Sequence, residues 1–227
     1  MNYLIFLCIL IISVITLYLA KKLMGKIGLI IVFIASSVLS LVLSFKYITL
    51  STITANANSI TYVTMFTSLY LLLETVNKKE VKKITNLNFI LNIFSSILLY
   101  IMSYHVQSLT DSISINMKNV FIVNSKILII YPITTLVSNY LLIWMYKKIR
   151  NLYEVPFITT VTTYLFIGLV ESIMLYISVY YQSLDTKIII RLLLSNYMIK
   201  LIINIIYSIL LTLWTRKKVN KWIRWVY

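Results

Sequence analysis

Charge is scarce in this 227-residue chain: 12% of the residues are charged and 60% are hydrophobic, with a mean hydropathy of +0.92. A soluble domain carries roughly 25% charged residues, so an ordinary water-soluble fold is excluded. Only three glycines occur, Gly25, Gly28 and Gly168, too few for a phosphate-cradling loop or a dinucleotide fingerprint. One cysteine, Cys8, rules out an internal disulfide, a CxxC pair and a thiolate metal cage. One histidine, His105, rules out a multi-histidine metal site or paired haem ligands within the chain. The two aspartates, Asp111 and Asp185, both fall in polar stretches between apolar runs, a poor placing for an intramembrane aspartyl dyad. Cys8 and His105 lie in separate segments with no third residue to orient them, which is weak material for a peptidase dyad. Neither metal nor organic cofactor is expected, and the composition does not favour an enzyme.

What the chain does have is long apolar runs, near 3–20, 27–45, 58–76, 86–104, 127–146, 157–181 and 192–214. A membrane-crossing helix needs about 20 apolar residues, so the length holds about seven crossings and no further catalytic domain. The first run is longer than the apolar core of a signal peptide, and more runs follow it. β-Branched residues are frequent, but the runs are too long and uniform for the short alternating strands of a membrane barrel. A hydrocarbon environment then requires helices, whose backbone bonds close internally. The expected fold is an all-α, polytopic membrane bundle of about seven helices.

The net charge of +15 is distributed with a bias. Fifteen basic residues cluster at 21–26, 78–83, 147–150 and 216–224, while Lys46, Lys118, Lys126, Lys187 and Arg191 occupy the alternate connections. Basic clusters between apolar runs act as topology signals and anionic-lipid contacts. This predicts a multi-pass protein of the cell membrane, with the N-terminus outside and the C-terminus in the cytoplasm. Nucleic acid is not an expected partner, because no soluble basic face is interleaved with aromatics. The lipid bilayer is one, and self-association into a homo-oligomer is left open. Among the outer connections, 105–126 is the longest and could fold over a pore mouth. The Thr-, Ser- and Asn-rich stretch 46–58 reads either as a loop dipping into an outer vestibule or as a solvated connector.

Three ionisable residues interrupt the apolar runs. Glu171 lies mid-run in "IGLVESIML", Lys200 lies mid-run in "NYMIKLIIN", and Glu74 closes a run in "LYLLLETV". A charge at the bilayer centre costs about 2.5–3.5 kcal/mol on insertion scales, so Glu171 and Lys200 should face the interior. There they either form a mutual ion pair that fixes helix packing or line a ligand site. Glu74 stands four residues before Lys78, as in a helix-end pair. Asn88 and Asn92 share a face, Ser138 and Asn139 lie inside the fifth run, Thr159 to Thr163 open the sixth, and Asn196 and Asn204 flank Lys200. Any one of these is helix-to-helix glue; together with buried charges they suit a small polar cavity. Most of the 18 tyrosines read as interfacial anchors.

Several stretches resemble the queuosine-precursor transporter family, also called the vitamin uptake transporters. "LAKKLMGKIGLIIVFIASSVLSLVLSFKYITL" is similar to the family's opening, with its Gly-Lys turn and a helix ending before a lysine. "LETVNKKEVKK" resembles its most recognisable motif, a Glu, a turn and a Lys-Lys-Glu-rich start. "VSNYLLIWMYKKIRN", "TTVTTYLFIGLVES" and "NYMIKLIINII" resemble three later helices. The chain departs from the pattern as well. The family's Asp before the motif Glu is Tyr70, its turn Gly is Asn77 (a residue that tolerates positive φ), and its later Asp and Arg are Leu142 and Thr159. The resemblance implies a six-helix core over 27–214, preceded by an extra helix and first cytoplasmic loop at 1–26 and followed by a basic tail at 215–227. It also implies uptake of a 7-deazaguanine such as preQ0 or preQ1, with Glu171, Lys200, Asn139, Thr163 and Glu74 as candidate substrate-binding residues. A guanine-like edge offers adjacent N–H donors that one carboxylate can accept together, and Lys200 could donate to the ligand carbonyl. The competing expectation is a non-transporting membrane subunit or interaction scaffold that keeps the fold without the site. The replaced Asp and Arg positions favour it, and the retained Glu171 and Lys200 favour transport.

Overall fold

The computed structural model describes residues 2–50, 53–104, 120–121, 124–153 and 155–223, with side chains through Leu213. Most of the 105–126 stretch, including His105, therefore lies outside the described residues. Among the described residues, six long helices and one β-hairpin follow in the order α1 (Asn2–Leu43), β1 (Tyr47–Leu50), β2 (Ile53–Asn56), α2 (Ser59–Thr75), α3 (Lys78–Met102), α4 (Ser125–Leu152), α5 (Pro156–Tyr180) and α6 (Thr186–Ile223). All of them but α2 are long and apolar enough to cross a membrane. The exposed large apolar side chains include Leu, Ile, Phe, Val, Tyr, Met and Trp on every helix but α2, while serines, threonines, asparagines and a Glu–Lys pair are buried within. That distribution is the reverse of a soluble fold and matches a bilayer as solvent. The chain is a helical, multi-pass membrane bundle.

The first two apolar runs fall within α1, which is two helical segments, 2–24 and 26–43, joined at Gly25. Gly25 has φ 57°, ψ −124°, a backbone conformation that a side chain would strain. The chain doubles back there. A Cβ on Gly28 would run into the carbonyl of Ala20, although eight residues along a straight helix are about 12 Å apart. The expected separation of these two runs is thus carried by one glycine rather than by a loop.

The central element is α2. With 17 residues it spans about 26 Å, less than the ~30 Å hydrocarbon core. Every residue from Ser59 to Leu72 is buried, so α2 meets neighbouring helices rather than lipid and need not match the bilayer's thickness. The antiparallel hairpin, in register Tyr47↔Asn56 to Leu50↔Ile53, occupies the space before it. The 46–58 stretch is therefore a paired hairpin rather than a plain solvated connector. Its Ile and Thr residues suit a pleat, Leu50, Ala55, Asn56 and Asn58 are buried, and strand pairing satisfies the backbone of that buried half.

Some expected helix ends move outward. The basic stretches 78–83 and 147–150 are helical, extending α3 and α4 beyond their apolar runs. Lys, Glu and Arg are strong helix formers, and hydropathy marks the bilayer rather than the helix. Between α2 and α3 only Val76 and Asn77 are extended; Asn77 sits at φ −62°, ψ 141°, so this turn makes no use of positive φ.

Contacts at the two ends show which connections lie together. Lys26 Nζ meets Glu80 Oε2 at 3.3 Å, and Arg150 Nε meets Glu74 Oε1 at 3.4 Å. The Gly25 turn, the α2–α3 turn and the end of α4 thus share one basic end. At the other end Asn2 bonds the Thr49 carbonyl, the Tyr47 and Tyr180 hydroxyls lie 2.8 Å apart, and Lys126 donates to Gln182.

Candidate functional site

On α6, Asn196, Lys200, Asn204 and Ser208 recur every four residues and form one fully buried polar stripe. On α5 the buried face runs through Thr160, Tyr164, Gly168, Glu171 and Leu175. Where the two faces meet, Lys200 Nζ donates to both carboxylate oxygens of Glu171, at 2.9 Å each. The pair is sealed: the side chains are 0% and 1% exposed. Ser172 Oγ lies 3.4 Å from Glu171 Oε2. The ring of Tyr62, on α2, lies 4.2 Å from the ammonium nitrogen, a cation–π contact that offsets part of the lost hydration of the lysine.

Toward the hairpin, Asn196 Oδ1 accepts from the Asn56 backbone N–H at 3.3 Å and from Ser59 Oγ at 3.1 Å. Asn56 Nδ2 in turn donates to the Ser44 carbonyl at 2.7 Å. These bonds hold the end of β2 and the start of α2 one helical turn from Lys200. Toward the basic end, the hydroxyls of Thr64 and Tyr207 lie 2.8 Å apart and tie α2 to α6. Tyr164 stacks edge-on against Phe66, with centroids 4.9 Å apart. Gly168 makes room for its ring, because a Cβ there would stand 2.8 Å from it.

The polar groups around the pair exceed the hydrogen bonds they make. Among the described residues, Asn139 Nδ2, Asn196 Nδ2, Tyr164 Oη and both amide ends of Asn58 and Asn204 are buried without a partner. A buried polar group left unpaired costs about 1–3 kcal/mol, and native interiors pair more than 90% of them. The interior therefore holds donors and acceptors suited to water or to a polar solute.

The candidate residues do not all come together. Glu171 and Lys200 do. Asn139 and Thr163 are buried on α4 and α5, but the Thr163 hydroxyl donates to the Thr159 carbonyl at 2.6 Å. Glu74 belongs elsewhere. It lies twelve residues beyond Tyr62 on α2, about 18 Å along the axis, and pairs with Arg150. The expected Glu74–Lys78 helix pair does not form, because α2 ends at Thr75 and Lys78 starts α3. Asn88 and Asn92 form a separate cluster in which both amides donate to Ser37 Oγ, at 3.1 and 2.8 Å, joining α3 to α1 as interhelical glue. Cys8 is exposed, and no three His, Cys, Asp or Glu residues group together among the described residues. Tyr62, Tyr164 and the hairpin's link to Asn196 escape a sequence reading. In the sequence nothing separates those two tyrosines from the other sixteen.

Comparison with protein-family models, curated proteins and solved structures gives no match to the chain.

Proposed function

We propose that this chain is a secondary carrier for a small planar solute with guanine-like hydrogen-bonding edges, such as the queuosine precursors preQ0 and preQ1. On this reading it crosses the cell membrane seven times, the two segments of α1 counting separately, with the basic end in the cytoplasm. The observation that carries the proposal is the unspent hydrogen-bonding capacity of Asn196, Asn204 and Tyr164 beside the buried ion pair, with further unpaired amides at Asn58 and Asn139 in the interior. Asn58 and Asn204 keep both amide ends unpaired, whereas the glue residues Asn88 and Asn92 spend their amide nitrogens on Ser37 and leave only the oxygen unpaired.

The pair would then be the closed form of the reader. An incoming edge with adjacent N–H donors replaces Lys200 on the two Glu171 oxygens, and the freed ammonium moves to the solute carbonyl. No net charge enters or leaves the bundle in the exchange, and the solute's hydrogen bonds must replace those that the buried pair gives up. The rings of Tyr62 and Tyr164 supply flat apolar surface for a planar solute. Carrier sites commonly lie near the midplane, lined by irregular backbone. Here the hairpin and the start of α2 supply such backbone one turn from Lys200.

One observation favours a second reading. The pair is bidentate and dry, as it would be in a scaffold whose buried charges only hold α5 to α6. Uptake separates the two. In cells unable to make deazaguanines, the chain should restore preQ1 accumulation. Glu171→Gln should remove most of it, while Glu74→Gln leaves most of it intact. A Glu171→Leu/Lys200→Leu double variant that still binds preQ1 would reject the reader role, as would uptake indifferent to Glu171→Gln.

A further inference from the structure

A second feature, on the outside of the bundle, stands apart from the transport reading. Where α3 and α4 pack at the basic end, a groove of about 460 Å³ opens between Lys78 and Lys82 on one side and Val137, Tyr140, Leu141 and Trp144 on the other. Its lining has two chemistries. Two ammonium groups a helical turn apart stand over an otherwise aliphatic and aromatic floor. Farther along the same helix seam a second groove, about 450 Å³, is walled by apolar residues including Ile93, Ile97, Ile129 and Ile133. On α4, Ile133, Val137, Tyr140 and Trp144 follow helical spacing, so the two grooves continue along one face. The Tyr140 hydroxyl donates to Asn86 Oδ1 at 2.7 Å between them.

The charges at this end sharpen the case. Both carboxylates described there are engaged elsewhere, Glu80 with Lys26 and Glu74 with Arg150. Neither Lys78 nor Lys82 has a carboxylate partner among the described residues. Lys148 adds a third cation at the rim, its nitrogen 3.9 Å from the centroid of the Trp144 ring. Trp beside Lys is the side-chain pairing of a headgroup level. A positively rimmed slot that runs into an apolar seam complements a molecule with an anionic head and a hydrocarbon tail.

We propose that this groove is a binding site for an anionic phospholipid, its phosphate between Lys78 and Lys82 and its acyl chain along Val137 and Leu141 toward the second groove. Free phosphate satisfies only the lysines. A zwitterionic lipid satisfies the seam but carries its own ammonium into a cationic rim.

The test uses the full chain with Trp214, Trp222 and Trp225 changed to Phe, so that Trp144 alone emits. Brominated phosphatidylglycerol should quench Trp144 at about tenfold lower concentration than brominated phosphatidylcholine. Lys78→Gln with Lys82→Gln should remove that preference. Lys79→Gln with Lys83→Gln, the same charge change on the same helix but outside the groove, should keep it. Equal quenching by the two lipids overturns the proposal. So does loss of the preference in both lysine pairs alike, which would mean a diffuse basic field, or displacement of the lipid by millimolar inorganic phosphate alone.

Discussion

Two ion pairs in this molecule, Glu171–Lys200 and Lys26–Glu80, use the same chemistry in opposite surroundings. The first is 0% and 1% exposed at 2.9 Å; the second is 55% and 51% exposed at 3.3 Å. Glu74–Arg150 stands between them, at 28% and 30% exposure. The buried pair is also the shortest and the bidentate one, but burial separates the three most sharply. In the interior each charge has given up its water, so each depends on the other. At the basic end water supports both partners separately, and the contact adds little. The comparison locates where a substitution is expensive.

The largest expected effect follows from breaking the buried pair on one side. Lys200→Leu leaves the Glu171 charge uncompensated among apolar neighbours and should cost about 3–5 kcal/mol. The loss would appear as a lower unfolding temperature of the purified protein in detergent. Glu171→Leu with Lys200→Leu should recover most of that loss, since a buried pair replaced by apolar residues is often neutral. A double variant no more stable than the single ones would show that the pair is held for its other bonds, those of Ser172 and Tyr62.

A middle-sized effect tests whether the hairpin belongs to the interior. Asn196→Leu removes the acceptor of the Asn56 N–H and leaves that donor buried, while the Ser59 hydroxyl keeps the Asn56 carbonyl at 2.7 Å. The expected cost is about 1–3 kcal/mol. Faster hydrogen exchange at the Asn56 amide should accompany it. Exchange that stays unchanged would mean the hairpin is held by α1, through Ser44, and not by α6.

How much of this was legible before the structure depends on which physics decides each feature. The cost of a charge in hydrocarbon is a property of the residue alone, so Glu171 and Lys200 could be placed inside from the sequence. Their pairing was one of two readings left open by the sequence, and only the packing of α5 on α6 brings the two side chains to 2.9 Å. The ends of α3 and α4 were not legible from hydropathy, because lysine-rich turns stay helical after they leave the apolar layer. The hairpin at 47–56 was hidden for a different reason. Its strands are only four residues each, and their pairing depends on being buried against α6, which no local pattern records. Glu74 was misread because i, i+4 spacing implies neighbours only inside one helix, and a turn at Val76–Asn77 falls between it and Lys78. The unpaired amides of Asn139 and Asn204 are a tertiary fact altogether; sequence shows an asparagine but not whether its bonds are used.

The smallest expected effects lie at the basic end, and they make the comparison quantitative. Glu74→Gln should cost at most about 1 kcal/mol, because its partly exposed pair with Arg150 keeps access to water on both sides. Lys26→Gln should cost less, within a few tenths of a kcal/mol, because both partners of Lys26–Glu80 are more than half exposed. Salt separates the two regimes. At about 1 M salt the screening length falls to about 3 Å, so the Lys26→Gln difference should vanish and the Glu74→Gln difference should shrink. The Lys200→Leu loss should persist, since no solvent ion reaches a side chain with 0% exposure. Unfolding temperatures of the three variants at low and high salt provide the check. If Lys200→Leu proved as salt-sensitive as Lys26→Gln, solvent would be reaching Glu171, and the pair would be lining an open aqueous path instead of a sealed interior.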